Sequence, residues 1–247
     1  MNNLQETLLF PVRDAEARQQ FLIACLVMLA AFIIPLLPTI ILLGYGVRIM
    51  RQIVDERKKP SMPPWQGSDW SEMLLDGLRL YGVQLVLMFP LLLIMGCGFI
   101  FMIGGSVAMA TLSDESTRSF APIGGILFFI GIAFLMLFSL LSLPYGVILS
   151  AVGPHVATKR SFAAGFEFNE WWPIFRKGLG QFVIAYIVMM AVSFIFIFIM
   201  QVAIITLVLM CIVPFLMIPY TVYFMLMSNT IFAQAYAAAR DELQIAL

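Results

Sequence analysis

Four stretches of this chain contain no Asp, Glu, Lys or Arg: Gln19 to Val47, Leu80 to Ser113, Ser119 to Thr158 and Gly178 to Ala239. A helix needs about 20 apolar residues to cross the hydrocarbon of a bilayer, and every one of these runs is longer. Backbone N–H and C=O groups cannot stay unpaired in lipid, so such segments are helices or strands of a closed barrel. The runs are continuously apolar rather than alternating, which excludes the barrel. Composition agrees: 62% of the residues are hydrophobic, 11% are charged, and the mean hydropathy is +0.99. A soluble domain has about 45–50% apolar and about 25% charged residues, so a soluble enzyme is excluded. Fourteen basic and fourteen acidic residues balance to zero, leaving no basic face for nucleic acid. Cys25, Cys97 and Cys211 lie far apart inside apolar runs and read as small packing residues, not as a metal or disulfide framework.

The first three runs each predict one span, near 21–43, 83–110 and 121–149. The fourth, 62 residues long, would extend about 93 Å as one helix. It must fold back, and the polar interruption from Gln201 to Thr206 suggests spans near 182–204 and 207–229. The first run is too long for a secretory h-region; Pro35 and Pro38 kink it or make it re-entrant. The fold class is therefore all-α integral membrane, with about five transmembrane helices in a single membrane domain over 1–247.

Basic residues in loops set orientation. Arg48, Arg51, Arg57, Lys58, Lys59 and Arg79 follow the first span, Lys159, Arg160, Arg176 and Lys177 follow the third, and Arg240 lies in the tail. Arg13, Arg18 and Arg118 remain for the other side. Five spans then put the N-terminus outside and the C-terminus in the cytoplasm of a prokaryotic inner membrane.

An internal repeat organises the chain. Tyr45-Gly46-Val47 recurs as Tyr145-Gly146-Val147, and Trp70, Met73, Leu74, Gly77, Leu78 and Tyr81 recur as Trp171, Ile174, Phe175, Gly178, Leu179 and Phe182. Each set falls on one helical stripe. Glu72, Asp76 and Arg79, and in the second copy Arg176, Lys177 and Gln181, lie off that stripe. The pattern predicts two short amphipathic helices at headgroup level on the cytoplasmic side. The unit is span, basic loop, interfacial helix, span, giving parallel repeats over about 21–110 and 121–204, with an incomplete third at 207–247. In that third copy Pro219-Tyr220-Thr221-Val222 matches Pro144-Tyr145-Gly146-Val147. A stripe of Phe232, Ala235, Tyr236, Ala239 and Leu243 predicts a surface helix at the C-terminus.

Gly44-Tyr45, the basic stretch, Pro63-Pro64-Trp65 before Asp69-Trp70, Asp76-Gly77-Leu78, Ser161 to Phe166 and the closing Gln234-Ala235-Tyr236 together resemble a prokaryotic polytopic membrane family catalogued as a domain of unknown function. The similarity runs from about Phe10 to Arg240, with Ala233 standing where the pattern has Gly. The resemblance implies the membrane fold and no reaction.

The spans so bounded hold no ionisable residue, the usual mark of a proton or ion path. His155, after Pro154, reads as a loop histidine without carboxylates at ligand spacing. Gly-x-Ser-x-Gly is absent, and Asp114, Glu115 and Arg118 read as solvated charges. No catalytic residue, metal site or cofactor is expected. Gly96, Gly98, Gly104, Gly105 and Ala108, with Gly124, Gly125 and Gly131, suit close packing of spans two and three, or a groove for a lipid chain. Arg48, Arg51, Arg57, Lys58 and Lys59 form a juxtamembrane basic patch that anionic lipid would attract.

Two functions compete. One is a non-enzymatic scaffold or accessory subunit of a membrane complex or homo-oligomer, docking through Trp65, Trp70, Tyr81, Trp171, Trp172 and Phe182. The other is a transporter or flippase of an apolar or amphipathic substrate, lined by Gln84, Gly96, Gly98 and Gln201. Membrane lipids are partners in both.

Overall fold

Pro35 decides how the first apolar run is built. It has no N–H to donate and disfavours helical backbone at the residue before it. In the computed structural model, which describes residues 4–66, 69–111, 121–205 and 213–245, the run is two helices rather than one span. Helix α1 (Leu4–Leu9) leads through a 3-10 turn, Phe10–Val12, to α2 (Ala15–Leu29). Asp14 caps α2, its carboxylate accepting from the Ala17 N–H at 2.8 Å. A second 3-10 turn, Ala30–Phe32, precedes the break, and Leu36 takes a left-handed φ of 77° just before α3 (Leu37–Val54).

These two helices fold back on each other. The Thr39 hydroxyl lies 3.9 Å from the Met28 sulfur near the turn. At the far ends, Gln20 meets Trp65 through two hydrogen bonds of 3.2 Å, and Trp65 stacks on Tyr45 at 4.3 Å. The single span expected at 21–43 is thus corrected to a helical hairpin. Six helices among the described residues are long and apolar enough to cross a membrane, against the five expected.

The remaining elements are α4 (Trp70–Thr111), α5 (Ala121–Lys159), α6 (Phe168–Lys177), α7 (Leu179–Ile205) and α8 (Val213–Ile245). All regular structure among the described residues is helical. The 62-residue run does divide in two, at α7 and α8; the turn expected from Gln201 to Thr206 falls partly outside the described residues, as do Asp114, Glu115, Arg118 and Cys211. The Trp70 stripe is no separate helix, because it runs without interruption into the span as the start of α4. Its counterpart α6 is separate, and the chain leaves helical backbone at Gly178 (φ −93°, ψ 15°) before α7 begins.

Contacts divide the chain into two compact units, one of Met1–Val83 with Val147–Leu247 and one of Gln84–Gly146. In the first, α8 is the centre. Val222, Leu226, Met227, Ile231, Ala233, Ala235, Tyr236 and Ala239 are all buried along it. The predicted surface helix at the C-terminus is therefore the packed end of the central helix. Next to it, α3 and the start of α4 cross at backbone contact: a Cβ on Gly44 would collide with the Met73 carbonyl, and one on Gly77 with the Ile40 carbonyl. The N-terminal helix joins the same end of this unit, Thr7 bonding Gln234 at 3.2 Å and Glu6 pairing with Lys59 at 3.2 Å. Helices α1 and α8 thus meet here.

The second unit is a hairpin of α4 and α5 segments. Its helices touch where Gly98 meets Gly131 and Gly105 meets Gly124, and Phe101 stacks with Phe134 at 5.9 Å. The Tyr145 hydroxyl donates to the Leu87 carbonyl, one turn before Pro90.

Candidate functional site

Two polar clusters lie in the first unit, both assembled from segments distant in sequence. The first forms because α3 ends in basic residues and α4 begins in acidic ones. Arg51, nearly buried, reaches Asp76 at 2.6 Å and donates through Nε to the Ala157 carbonyl at 2.7 Å. Asp76 is 5% exposed and also takes a bond from Arg79 at 3.0 Å. Arg48 pairs with Asp69 at 2.6 Å, and Glu72 lies between Arg51 at 3.8 Å and Arg160 at 3.5 Å. Arg48, Arg51, Asp69, Glu72, Asp76 and Arg160 line a polar cavity of about 440 Å³.

This arrangement reverses one sequence expectation. Asp76 was placed on the water side of the Trp70 stripe, yet the buried side of α4 there is Met73, Asp76, Gly77, Leu80 and Val83, while Leu75 and Leu78 are exposed. A carboxylate is buried here because Arg51 and Arg79 both meet it; an unpaired one would ruin the packing. Arg48 and Arg51, expected in a loop after a span ending near 43, lie instead on α3, one of the helices long and apolar enough to cross a membrane.

The second cluster surrounds His155. This residue is in the last turns of α5 rather than in a loop, and is 2% exposed. Its Nδ1 lies 2.8 Å from the Tyr236 hydroxyl of α8, and its Nε2 has no hydrogen-bond partner. Facing Nε2 are the carboxylates of Glu167 at 3.9 Å and Glu170 at 3.8 Å, from the start of α6 and the residue before it. Lys159 reaches Glu170 at 2.6 Å, and that hydrogen bond holds the Glu170 carboxyl below the ordinary range. Sequence spacing hides this trio, since His155 and Glu167 are separated by a turn at Arg160 with left-handed φ of 53°. A trace of it was present in His155 and Lys159 at i,i+4 and Glu167 and Glu170 at i,i+3.

The residues proposed for docking divide. Trp171 and Phe182 are buried core residues and cannot themselves contact a partner; Trp70 and Trp172 are exposed; Trp65 and Tyr81 are half-buried. Trp65 is occupied with Tyr45, whose hydroxyl donates to the Pro63 carbonyl at 2.7 Å. Each basic residue of the lipid patch faces a carboxylate: Arg57 pairs with Asp241, Lys58 with Glu56 and Lys59 with Glu6, besides the Arg48 and Arg51 pairs above. Of the proposed substrate lining, Gln84 and Gln201 are exposed, Gly98 is packed on Leu135, and Gly96 has open space beside it.

No curated protein and no solved structure matches the chain. The similarity read from Gly44-Tyr45 to the Ser161–Phe166 segment does have a counterpart in a family model, which ends before the closing Gln234-Ala235-Tyr236. That model covers residues 27–204, most of the chain, and the protein belongs to the family described as Protein of unknown function (DUF4013).

Proposed function

We propose that this is a non-enzymatic integral membrane protein that acts as a scaffold or accessory subunit, holding a transmembrane helix of a partner or of a second copy. The observation that carries this is the outer side of α4 in the hairpin unit. Gly96, Ile100, Ile103, Gly104 and Val107 recur at i, i+4, i+7, i+8 and i+11, on the side opposite the Gly98 and Gly105 contacts. Ile100, Ile103 and Val107 are exposed, and a Cβ at Gly96 or Gly104 would meet nothing within 4 Å. Lipid chains need only bulk apolar side chains, whereas glycine admits the backbone of a neighbouring helix.

Purification from native membranes in mild detergent, with size analysis and mass spectrometry, tests the reading. A stoichiometric partner or second copy should be retained, and lost with Gly96→Leu and Gly104→Leu at unchanged yield. A lone monomer carrying a defined lipid would sink the proposal. It would favour the second reading, a transporter or flippase of an amphipathic substrate, for which the charged cavity of about 440 Å³ beside Arg51 is the supporting feature.

The same proposal includes a revised topology in the cytoplasmic membrane. With six crossings the chain returns to its starting side, so both ends are cytoplasmic. Of the 14 Lys and Arg residues, all but Arg118 then fall on that side, a stronger bias than five spans allow. Reporter fusions at both termini check this; a periplasmic signal from the N-terminal fusion would restore the five-span arrangement.

A further inference from the structure

We propose that His155, Glu167 and Glu170 form a binding site for a divalent transition-metal ion such as Zn²⁺ or Mn²⁺, which pins α5 to the start of α6. The three ligand atoms lie within 4.8 Å of one another. One imidazole nitrogen with two carboxylates suits zinc, manganese or iron and does not suit a soft-metal thiolate site.

His155 marks the site more clearly than the acids do. Its ring is buried, its Nδ1 is engaged by Tyr236 at 2.8 Å, and its Nε2 has no hydrogen-bond partner. When Nδ1–H donates to the Tyr236 oxygen, the Nε2 lone pair points at two carboxylates, both 3.8 to 3.9 Å away. Three electron-rich atoms then face one another, and the Lys159 ammonium, 2.6 Å from Glu170, is the cation that now offsets them. The opposite tautomer turns an N–H toward the carboxylates, but at 3.8 to 3.9 Å it forms no hydrogen bond. A metal-bound histidine characteristically has its second ring nitrogen held by an outer group, and Tyr236 is placed to be that group.

The spacing is near that of a bound cation. Tetrahedral zinc at ordinary bond lengths separates its ligand atoms by about 3.4 Å, so each glutamate must close on His155 Nε2 from 3.8 to 3.9 Å. Both glutamates are more than 40% exposed on their side chains and free to do so, whereas the histidine is fixed. Lys159 is the competitor: its ammonium, 2.6 Å from Glu170, must swing away for the ion to bind. One or two water molecules would complete the coordination.

The competition supplies the test. Full-length protein in detergent is stripped with chelator and titrated with Zn²⁺ and with Mn²⁺, reading bound metal per chain and Tm. One equivalent should bind and raise Tm, reversibly on chelation. Glu167→Gln and Glu170→Gln, at exposed positions, should each weaken binding at least tenfold, and Lys159→Met should strengthen it. His155→Ala removes a buried side chain and can unfold the protein, so the glutamate and lysine variants decide. The proposal is overturned if the glutamate variants bind as the parent does, or if neither metal binds at one equivalent. It is overturned equally if Lys159→Met lowers affinity, which would make the lysine pair the purpose of Glu170.

Discussion

The two units of this protein solve the same problem, packing helices of nearly uniform apolar composition, by different means. The unit around α8 uses bulk and charge. Tyr45, Phe10, Trp171, Phe182 and Leu226 are fully buried, Arg51 and Asp76 pair in the interior, and 61% of the residues of α3 are buried. The hairpin of Gln84–Gly146 uses absence of bulk. Four glycines bring two backbones together, and only 6% of the residues in the most apolar stretch of α5 are buried. In lipid the hydrophobic effect does not distinguish one helix face from another, so association must come from close packing and hydrogen bonds. The first unit has a polar end where charge can specify partners. The hairpin relies on shape, with the Tyr145–Leu87 hydrogen bond joining its helices among the described residues.

The comparison breaks first at Asp76. Replacing it by Leu leaves Arg51 buried without its carboxylate, and losing one partner of a buried pair costs about 3–5 kcal/mol. Asp76→Leu should therefore fail to yield monodisperse protein in size-exclusion profiles, while no substitution in the hairpin polar set does comparable harm. Next come the glycines in backbone contact. Gly44→Leu and Gly105→Leu both insert bulk where another backbone lies, and overpacking of this kind costs about 1–3 kcal/mol. Gly104→Leu, one residue away from Gly105, should leave Tm unchanged because it enters open space; a drop equal to that of Gly105→Leu would show that this side of α4 is packed within the chain. Smaller again is Tyr45→Phe, which keeps the stack on Trp65 and removes the hydrogen bond to Pro63, for a loss of about 1 kcal/mol in Tm-derived stability. Smallest is Lys59→Ala. Its pair with Glu6 is exposed, such pairs contribute little, and thermal melts should not distinguish the variant from the parent.

How far the sequence reached is seen best at particular residues. Of the seven glycines that suit close packing of α4 and α5, Gly98, Gly105, Gly124 and Gly131 sit at the contacts, because small-residue spacing along a helix is a local property, while Gly96, Gly104 and Gly125 have open space beside them. Pro35 and Pro38 were seen too, but whether proline kinks a membrane helix or reverses it depends on what the second half packs against, here α8. Asp76 was assigned to water by its stripe, and Arg51 on another helix overruled that. The His155 cluster escaped because its carboxylates follow a turn and its Tyr236 partner comes from the other end of the chain.

What the sequence alone determined is the membrane-helical class, the approximate extents of the apolar segments and the family pattern, since charge-free length and the need to pair backbone groups in lipid leave no other solution. The tertiary structure decided the rest: the hairpin at Leu36, the meeting of α1 with α8, and which polar side chains are buried. Those outcomes rest on contacts between segments up to 227 residues apart, as Thr7 and Gln234 are. Hydropathy measures each segment against lipid or water, and says nothing about the charge or shape of the helix that will stand beside it.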